Sequence, residues 1–405
     1  MITLSFMERI YESVISEHLA ELRQMIFLSG PRQVGKTTTA RQSARDHEYL
    51  TWDRQSDRRR FTRGPDEIAS HLGLDTLQDK KTTLVFDELH KYRHWKSFLK
   101  GFFDVYGEKA GIIVTGSARL NVFRRGGDSL MGRYFLYRMH PVSLSELVRT
   151  KIAKAPVSPP AGISGSDFEQ LLVFGGFPEP FLRASARFHN KWKRLRNEQL
   201  FREDMRDLTR IQDIGQVEVL AGLISGQTGQ LMNFSSLSSD VRAAVGTVMR
   251  WFSALENLYF CFSVRPWYRN VPKALRKQPK VYLWDWSLVQ DPGARLENFV
   301  ASHLMKAVQF WTDTGLGEFG LFYLRDKEKR EVDFLVVENS RPWFLVEVKS
   351  SGKRKLNPNL EYFQQKTGAS HAFQLVMDMD YVDRDAFSEK KPVRVPALTL
   401  LSQLV

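Results

Sequence analysis

A glycine-rich segment, Gly30 to Thr38, constrains the fold more than any other part of the chain. It reads Gly-Pro-Arg-Gln-Val-Gly-Lys-Thr-Thr and directly follows the apolar run Met25 to Leu28. The segment fits the Walker A pattern G-x-x-x-x-G-K-[ST] placed after a strand-like run. Gly30 and Gly35 allow the backbone to curl, so that successive N–H groups point at phosphate oxygens. The alternative, a fortuitous glycine-rich turn, does not explain why all the fixed positions of the pattern are matched.

Each position of this loop has a predicted role. Lys36 is placed to reach the outer phosphates as a point charge, and the Thr37 hydroxyl is placed to ligate Mg²⁺. The polar segment 38–47 is compatible with a helix, so the phosphates would lie at a helix N-terminus. The residues predicted to contact the nucleotide are Gly30, Pro31, Arg32, Gln33, Val34, Gly35, Lys36, Thr37 and Thr38.

A second apolar run, Thr83 to His90, contains two adjacent carboxylates and has the form of a Walker B strand. Asp87 is predicted to hold Mg²⁺ through water, and Glu88 to polarise the attacking water as a general base. The second carboxylate indicates hydrolysis rather than binding alone. A solvated strand end is the alternative interpretation.

Two further positions are candidates for catalysis. A third strand is predicted from Gly111 to Thr115, and Thr115 or Ser117 at its end suits a sensor of the γ-phosphate or the lytic water. A plain strand-end turn would look the same. Arg133, in a glycine-containing turn, is predicted to stabilise transition-state charge, either in its own subunit or in a neighbouring one. It could equally be a surface arginine.

The composition indicates a globular protein of two or three domains, with 405 residues, of which 42% are hydrophobic and 12% aromatic. No apolar run approaches the ~18 to 20 residues that span a bilayer, and Glu8 and Arg9 interrupt any signal-like N-terminus. The single cysteine, Cys261, excludes an internal disulfide and cysteine-based zinc sites. These features predict a cytoplasmic protein whose one thiol is buried and inert.

The charge of the chain favours polyanionic partners. The formal net charge is +13 and the sequence pI is about 9.7, with basic residues enriched in several separate segments. Nucleic acid is the first expected partner. Solvated basic faces are the alternative.

Residues 1–150 alternate strand-like and helix-like segments, which is typical of a doubly wound parallel sheet. Residues 166–210 are helical in pattern, with a rigid turn at 174–180. Residues 211–265 resemble a compact helical module followed by a strand, which favours a winged helix-turn-helix with its recognition helix near Arg242 to Arg250. A helical module that packs against protein, with no DNA contact, is the alternative.

The last hundred residues contain a second possible chemistry. Glu347 and Lys349 are separated by one residue, so they share one face of a strand. Asp333 begins the neighbouring strand, and Glu297 lies upstream in an amphipathic helix. Carboxylates of this kind bind Mg²⁺, here through Asp333 and Glu347, and a lysine stabilises charge during phosphodiester cleavage. Salt-bridged strand ends are the alternative.

Taken together, these residues resemble a bacterial and archaeal AAA+-type ATPase with a C-terminal domain of unknown function related to PD-(D/E)xK nucleases. The resemblance also covers the segments 140–147, 174–179 and 228–235. It implies ATP hydrolysis with Mg²⁺, DNA contact and a homo-oligomer, by analogy a hexamer. Two departures are Ala118, where the family commonly has serine, and Val332, which precedes Asp333 in place of proline.

The predicted fold class is therefore α/β, built from four parts. They are an AAA+-like P-loop ATPase core at 1–150, a helical lid at 151–210, a winged helix-turn-helix at 211–270 and a PD-(D/E)xK nuclease-like domain at 271–405.

Three functions remain open from the sequence. The first is a Mg²⁺-dependent ATPase that binds DNA and recognises or cuts it with the nuclease-like domain. In the second, that domain is a non-catalytic scaffold for assembly or for binding a protein. The third is a nucleotide-gated DNA-binding regulator without motor action.

Overall fold

The chain folds into two compact units. One contains the described residues up to 140 together with 150–152, and the other contains 141–149 together with 153–405. The computed structural model describes residues 7–43, 47–77, 81–116, 130–205, 213–267, 277–353 and 355–405. Helices and strands are numbered below in chain order over these residues. None of the helices within them combines the length and the apolar character that crossing a membrane requires.

The first unit is built on a parallel sheet of five strands in the order β2-β3-β4-β1-β5. Because all five strands run the same way, their carboxyl ends meet at one edge, which is where ligands bind in open α/β sheets. The strands are β1 Met25–Ser29, β2 His47–Thr51, β3 Thr82–Asp87, β4 Ala110–Thr115 and β5 Tyr134–Arg138.

Helices cover this sheet because the central strands are apolar throughout: every residue of β1 and β4 is buried. Phe98 and Phe102 lie on one face of α5 and meet Phe86 of β3 edge to face. The prediction of a parallel sheet in an α/β arrangement for this part of the chain is confirmed, and the doubly wound arrangement stays a prediction. The helices are α1 Ile10–Glu21, α2 Lys36–Gln42, α3 Gln55–Arg63, α4 Pro65–His71 and α5 Trp95–Tyr106.

The second unit contains a mixed sheet of seven strands in the order β12-β11-β10-β9-β8-β6-β7. β8, β9 and β10 are antiparallel neighbours, while β10, β11 and β12 run parallel. The strands are β6 Cys261–Pro266, β7 Lys280–Leu283, β8 Phe319–Arg325, β9 Glu331–Glu338, β10 Arg341–Lys349, β11 His371–Val376 and β12 Val393–Pro396.

A long central helix, α12, passes through the core of this unit, and most of its residues from Asn298 onward are buried. Cys261 in β6 is also buried, and burial raises the pKa of its thiol, in agreement with an inert cysteine. The helices are α6 Gly165–Phe174, α7 Pro178–Arg183, α8 Ala186–Gln199, α9 Ile214–Gly226, α10 Phe234–Asp240, α11 Val245–Asn257, α12 Pro292–Asp313, α13 Pro358–Thr367 and α14 Ala397–Ser402.

The segment predicted as a winged helix-turn-helix contains three helices, α9 to α11, followed by the antiparallel pair β6 and β7. The Asn233 side chain caps α10, because it accepts hydrogen bonds from the backbone N–H groups of Ser235 and Ser236. The proposed recognition segment is helical only from Val245, and Arg242 lies before it in a left-handed turn with φ of 54°. Placing Arg242 on that helix is therefore wrong.

Candidate nucleotide site and carboxylate cluster

The loop between β1 and α2 has the backbone that its glycines predict. Gly35 has φ of 103°, which favours glycine, and Gln33 is also left-handed with φ of 64°. A Cβ atom at Gly30 would lie 2.2 Å from the backbone oxygen of Met139, so no larger residue fits there. The loop therefore curls tightly at the carboxyl edge of the sheet. Its helix begins at Lys36, two residues earlier than predicted.

The side chain of Lys36 binds the backbone of this loop. Its buried side chain donates from Nζ to the backbone oxygen of Gly30 at 2.9 Å and to that of Pro31 at 2.7 Å. The ammonium group thus lies against the loop that would hold the phosphates. This is the position from which a Walker lysine reaches the outer phosphates.

Asp87, at the end of β3, accepts hydrogen bonds from three hydroxyl groups. Tyr49 donates to Oδ2 at 2.6 Å, Thr37 lies 3.3 Å from both carboxylate oxygens, and Thr115 donates to Oδ1. The structure therefore brings together the predicted metal residues Thr37 and Asp87. Thr115 is completely buried and orients this carboxylate, and its predicted role as a phosphate sensor stays a prediction.

Tyr49 is a site residue that the sequence motifs do not reveal. It lies on β2, which pairs with β3 in a register that places Thr51 beside Asp87. Burial raises the pKa of the Tyr49 phenol, and its hydrogen bond to Asp87 raises the pKa further. The phenol therefore stays protonated and keeps donating to the carboxylate. No local motif marks Tyr49, because its contact with Asp87 depends on the pairing of β2 with β3.

Glu88 follows Asp87 in a left-handed conformation with φ of 54°. Its carboxylate lies 3.1 Å from the Lys91 ammonium, which also binds Asp53 at 2.8 Å. Burial lowers the pKa of Lys91, but the Asp53 and Glu88 carboxylates outweigh it and raise the pKa overall. Glu88 is thus placed beside the loop in an ion pair, and its role as general base stays a prediction.

A buried arginine also binds the backbone of the loop. Arg9, just before α1, donates from its guanidinium group to the backbone oxygens of Val34 and His140, both at 2.7 Å. Tyr11 binds the ring of His140 at 3.0 Å. Arg9 was not predicted as part of this site, because no motif surrounds it in the sequence.

Arg133 lies at the wrong edge of the sheet to act on its own phosphate loop. Its backbone oxygen accepts from Met25 at the start of β1, and its guanidinium group binds Asp104 at 2.7 Å. The loop begins at the other end of this five-residue strand, about 17 Å away at the usual rise of a β-strand. The prediction that Arg133 acts in its own subunit is therefore wrong. Ser117, the other candidate sensor, lies outside the described residues.

A second group of charged side chains lies in the second unit, where β9 and β10 pair. Phe334 is opposite Val346, and Asp333 accepts a hydrogen bond from the backbone N–H of Val348 at 2.8 Å. Lys349 donates to Glu347 at 2.6 Å, as expected for side chains on one face of a strand. The strand register thus brings Asp333, Glu347 and Lys349 together as predicted.

Lys280 was not predicted, yet its ammonium group lies inside this carboxylate cluster, which we define as Glu297, Glu331, Asp333 and Glu347. Its Nζ is 2.7 Å from Glu331, 3.3 Å from Glu297 and 3.8 Å from Asp333. Burial lowers the pKa of Lys280, but the carboxylates outweigh it and raise the pKa overall. Burial raises the pKa of Asp333, and the neighbouring charges of Glu297 and Glu347 raise it further.

The two groups differ in how well they fit a divalent cation. In the first unit, a hydroxyl and a carboxylate lie together, and a nucleotide would supply further oxygen ligands, so the residues fit Mg²⁺. In the second unit, the ammonium group of Lys280 already lies within 4 Å of three carboxylates, where a cation would otherwise bind. Among the described residues, no group of three or more His, Cys, Asp or Glu side chains is arranged to hold a metal ion. The arrangement seen here does not fit the metal predicted at Asp333 and Glu347.

Residues 22–148 match the profile of the family described as AAA domain. This segment of the chain is therefore similar to an AAA domain, and for that similarity it is called the AAA domain below. Its boundaries enclose the phosphate loop, Asp87 and β5. Residues 165–292 match Domain of unknown function (DUF8612), and residues 292–396 match Domain of unknown function (DUF4143). Neither description assigns a function to the second unit.

Curated relatives match more than half of the chain. The chain is 23% identical over 334 residues to the uncharacterized protein Rv2008c of Mycobacterium tuberculosis, covering 79% of this chain and 69% of the relative. It is 23% identical over 290 residues to the uncharacterized protein MJ1637 of Methanocaldococcus jannaschii, covering 64% of this chain and 60% of the relative.

Two solved structures show weaker similarity. A Walker-type ATPase of Pyrococcus abyssi, PABY2304, has a TM-score of 0.44 and 15% identity, covering 71% of this chain and 95% of that one. AMPPCP-bound DnaA from Aquifex aeolicus has a TM-score of 0.29 and 15% identity, covering 63% and 91%. These TM-scores are low, and the assignment of the AAA domain rests on the family profile, the sheet order and the loop geometry.

Proposed function

We propose that the AAA domain hydrolyses ATP with Mg²⁺. One observation carries this proposal: the loop that holds Lys36 and the carboxylate of Asp87 lie side by side at the carboxyl edge of the sheet, joined through Thr37. A loop that bound only inorganic phosphate would have no need of a second carboxylate at Glu88. The geometry supports hydrolysis of a nucleoside triphosphate.

The residues divide the work in the following way. Backbone N–H groups of the loop and the Lys36 ammonium bind the phosphates, and Thr37 with Asp87 would hold the cation. When bound, Mg²⁺ would neutralise negative charge that develops on the transferred phosphoryl group. Tyr49 and Thr115 fix the orientation of Asp87. Glu88 leaves Lys91 to accept a proton from the attacking water.

The test is the rate of phosphate release from ATP by the full chain. Lys36→Ala should abolish hydrolysis because it removes the charge that meets the outer phosphates. Lys100→Ala removes an exposed lysine of the same domain on α5 and should leave the rate unchanged. A Lys36→Ala protein that hydrolyses ATP at the full rate would show that this assignment is wrong.

We infer nucleic-acid binding as a second function, located in the second unit. The net charge of +13 supports it, as does the order of three helices followed by an antiparallel strand pair, with Arg242 and Arg250 exposed. The test is the affinity for DNA with and without ATP, measured against salt. A flat salt dependence would remove nucleic acid as a partner. An ATP-dependent affinity would favour the nucleotide-gated regulator.

Cleavage by the carboxylate cluster is less well supported than binding. The ammonium group of Lys280 lies where three carboxylates converge, and this favours a non-catalytic binding module over a nuclease. The test that distinguishes a nuclease from a binding module compares the wild type with Lys349→Ala. It measures Mg²⁺- or Mn²⁺-dependent cleavage of single- and double-stranded DNA. Cleavage that is present in the wild type and lost in Lys349→Ala would establish a nuclease.

A further inference from the structure

A cavity of about 740 Å³ opens in the second unit, beside the carboxylate cluster. It lies where β8 ends, where the chain turns into β9, and against the last turn of α13. Its floor is apolar, formed by the buried side chains of Leu324 and Phe363 and by the half-buried rings of Trp267 and Tyr362. A cavity of this volume is in the range that holds a small organic ligand.

The rim of the cavity is basic. Five cationic side chains line it, against two carboxylates. Both carboxylates are already bound by Arg330, Asp326 at 2.7 Å and Glu328 at 3.2 Å. The five cationic residues are Lys277, Arg325, Lys327, Arg330 and Lys366.

Three of these cationic side chains are placed to bind an anionic ligand. Lys277 and Lys327 are exposed and form no ion pair with any residue that the structure describes. Lys366 is also exposed and donates to the Tyr362 hydroxyl at 2.9 Å. That hydrogen bond raises the pKa of Lys366, so its ammonium group stays charged. The rim thus presents three ammonium groups around an apolar floor.

One aromatic ring already shows the kind of contact that this cavity can make. The guanidinium group of Arg330 lies 3.9 Å from the centroid of the Tyr362 ring. The ring therefore packs against a flat, delocalised group on one face. Trp267 offers a second aromatic surface on the same cavity. Nucleobases stack on such rings, and their phosphates meet the surrounding lysines.

We propose that this cavity binds single-stranded nucleic acid, with one or two bases against Trp267 and Tyr362 and the backbone phosphates on Lys277, Lys327 and Lys366. A duplex keeps its bases stacked inside and could offer only phosphates to the rim, which would leave the aromatic floor unused. The proposal rests on the nucleic-acid binding inferred above and specifies the strand and the place. It does not depend on ATP hydrolysis.

The cavity also has a direct connection to the carboxylate cluster. Arg325 lines the cavity and binds Glu331 at 2.7 Å, and Glu331 in turn binds Lys280 at 2.7 Å. A nucleic-acid strand held in the cavity would therefore be linked to the cluster through Arg325 and Glu331. The cavity is where the chain would select a single strand, whether or not the cluster cuts it.

The experiment measures binding of a fluorescein-labelled oligothymidylate of about 12 nucleotides to the full chain, without ATP, by fluorescence anisotropy at several salt concentrations. The double variant Lys327→Ala, Lys366→Ala should bind about tenfold more weakly, with a salt slope lower by about 1.4, since each phosphate contact on a single strand contributes about 0.7. The control Lys390→Ala, Lys391→Ala removes the same charge from exposed lysines elsewhere in the unit and should bind like the wild type.

A second pair of variants tests the aromatic floor. Tyr362→Leu should weaken binding of the strand while Tyr362→Phe, which keeps the ring, should preserve it. A blunt duplex of the same length should bind more weakly than the strand. Equal loss in the control lysine variant, or equal affinity for strand and duplex, would overturn the proposal. So would competition by polyglutamate as effective as that by unlabelled oligonucleotide.

The outcomes also separate this proposal from the broader one. If the wild type binds no nucleic acid at all, both fail. If it binds nucleic acid and the cavity variants match the control, only the cavity proposal fails.

Discussion

At the scale of single residues, the most specific feature of the nucleotide site is the set of three hydroxyl groups that donate hydrogen bonds to Asp87. Tyr49→Phe removes one of them and keeps the ring. A hydrogen bond to a charged group contributes about 1.5 to 3 kcal/mol, so Asp87 would be less well oriented. We expect the Mg²⁺ concentration for half-maximal ATP hydrolysis to rise several-fold, with nucleotide affinity in the absence of Mg²⁺ unchanged.

Tyr106→Phe is the matched control for this experiment. It removes a hydroxyl that binds a different carboxylate, Asp66, at 2.8 Å on the surface of the same domain. Binding of Mn²⁺ in the presence of ADP, followed by electron paramagnetic resonance, gives a readout besides activity. An unchanged cation dependence in Tyr49→Phe would show that the Tyr49 hydroxyl has no part in holding the cation.

Lys280 gives a second prediction at this scale. Lys280→Met keeps the length of the side chain but removes the ammonium group that pairs with Glu297, Glu331 and Asp333, and breaking a buried ion pair costs about 3 to 5 kcal/mol. We therefore expect a lower melting temperature that added Mn²⁺ largely restores. In the wild type, Mn²⁺ should have little effect on melting, because the ammonium group occupies the cluster.

Lys306→Met is the control for Lys280→Met. Lys306 is also buried, and its ammonium group pairs with the carboxylate of Glu146. Its loss should destabilise the protein without rescue by Mn²⁺, since one carboxylate makes a poor cation site. If the wild type is stabilised by Mn²⁺ as strongly as Lys280→Met, the cluster is a metal site after all and cleavage becomes the better proposal.

At the scale of elements, the sequence determined the central strands better than their neighbours. The apolar run from Met25 and the run ending at Asp87 coincide with β1 and β3 to within a residue or two, because a buried parallel strand is apolar throughout. Tyr49, Arg9 and Lys280 could not be assigned. Each reaches its site from an element distant in sequence, through a strand register or a helix position that no local pattern encodes.

Helix α12 carries a titratable group whose behaviour follows from its packing. His303 is buried, with Nδ1 donating to the Phe299 backbone oxygen at 2.8 Å and Nε2 accepting from the Leu144 N–H at 3.0 Å. These two contacts hold the neutral ring in one tautomer. Burial lowers the pKa of His303 to about 3 and the nearby Lys306 lowers it too, although the Phe299 carbonyl raises it.

The sign of the pH effect follows from this lowered pKa. Between about pH 3 and the ordinary value of 6.5, the unfolded state binds a proton at His303 and the folded state does not, so stability falls as the pH falls through that range. One group contributes at most about 1.4 kcal/mol per pH unit. We expect the urea midpoint of the second unit to decrease from pH 6.5 to pH 5, and to decrease less steeply in His303→Gln. Parallel slopes would contradict the assignment.

At the scale of the whole molecule, the sequence indicated the AAA domain correctly because its motifs are local, contiguous and chemically specific. The second unit is different. Its charged residues were found as a loose pattern, and the chemistry of that pattern depends on Lys280, which contacts them only through the pairing of β7 and the position of α12. A cation supplied by the chain itself cannot be read from the spacing of the carboxylates.

The position of Arg133 bears on assembly. This arginine lies at the amino edge of its own sheet, opposite the phosphate loop, so it can reach a phosphate only in another subunit. If it does, Arg133→Ala and Lys36→Ala should each be inactive alone but should recover part of the activity when mixed, because a mixed oligomer contains sites with an intact loop and an intact arginine. Phosphate release by the mixture, over a range of protein concentrations, measures this recovery.

Two results would contradict the role of Arg133 across an interface. One is full activity of Arg133→Ala alone, which would make it a surface residue with no part in hydrolysis. The other is a mixture no more active than its components, although light scattering shows that the two variants form mixed oligomers with ATP. Asp104→Ala removes the carboxylate that binds the Arg133 guanidinium group and serves as the control, since it should leave activity intact if the arginine acts outside its own subunit. The mass of the wild-type oligomer in the same scattering experiment tests the predicted hexamer.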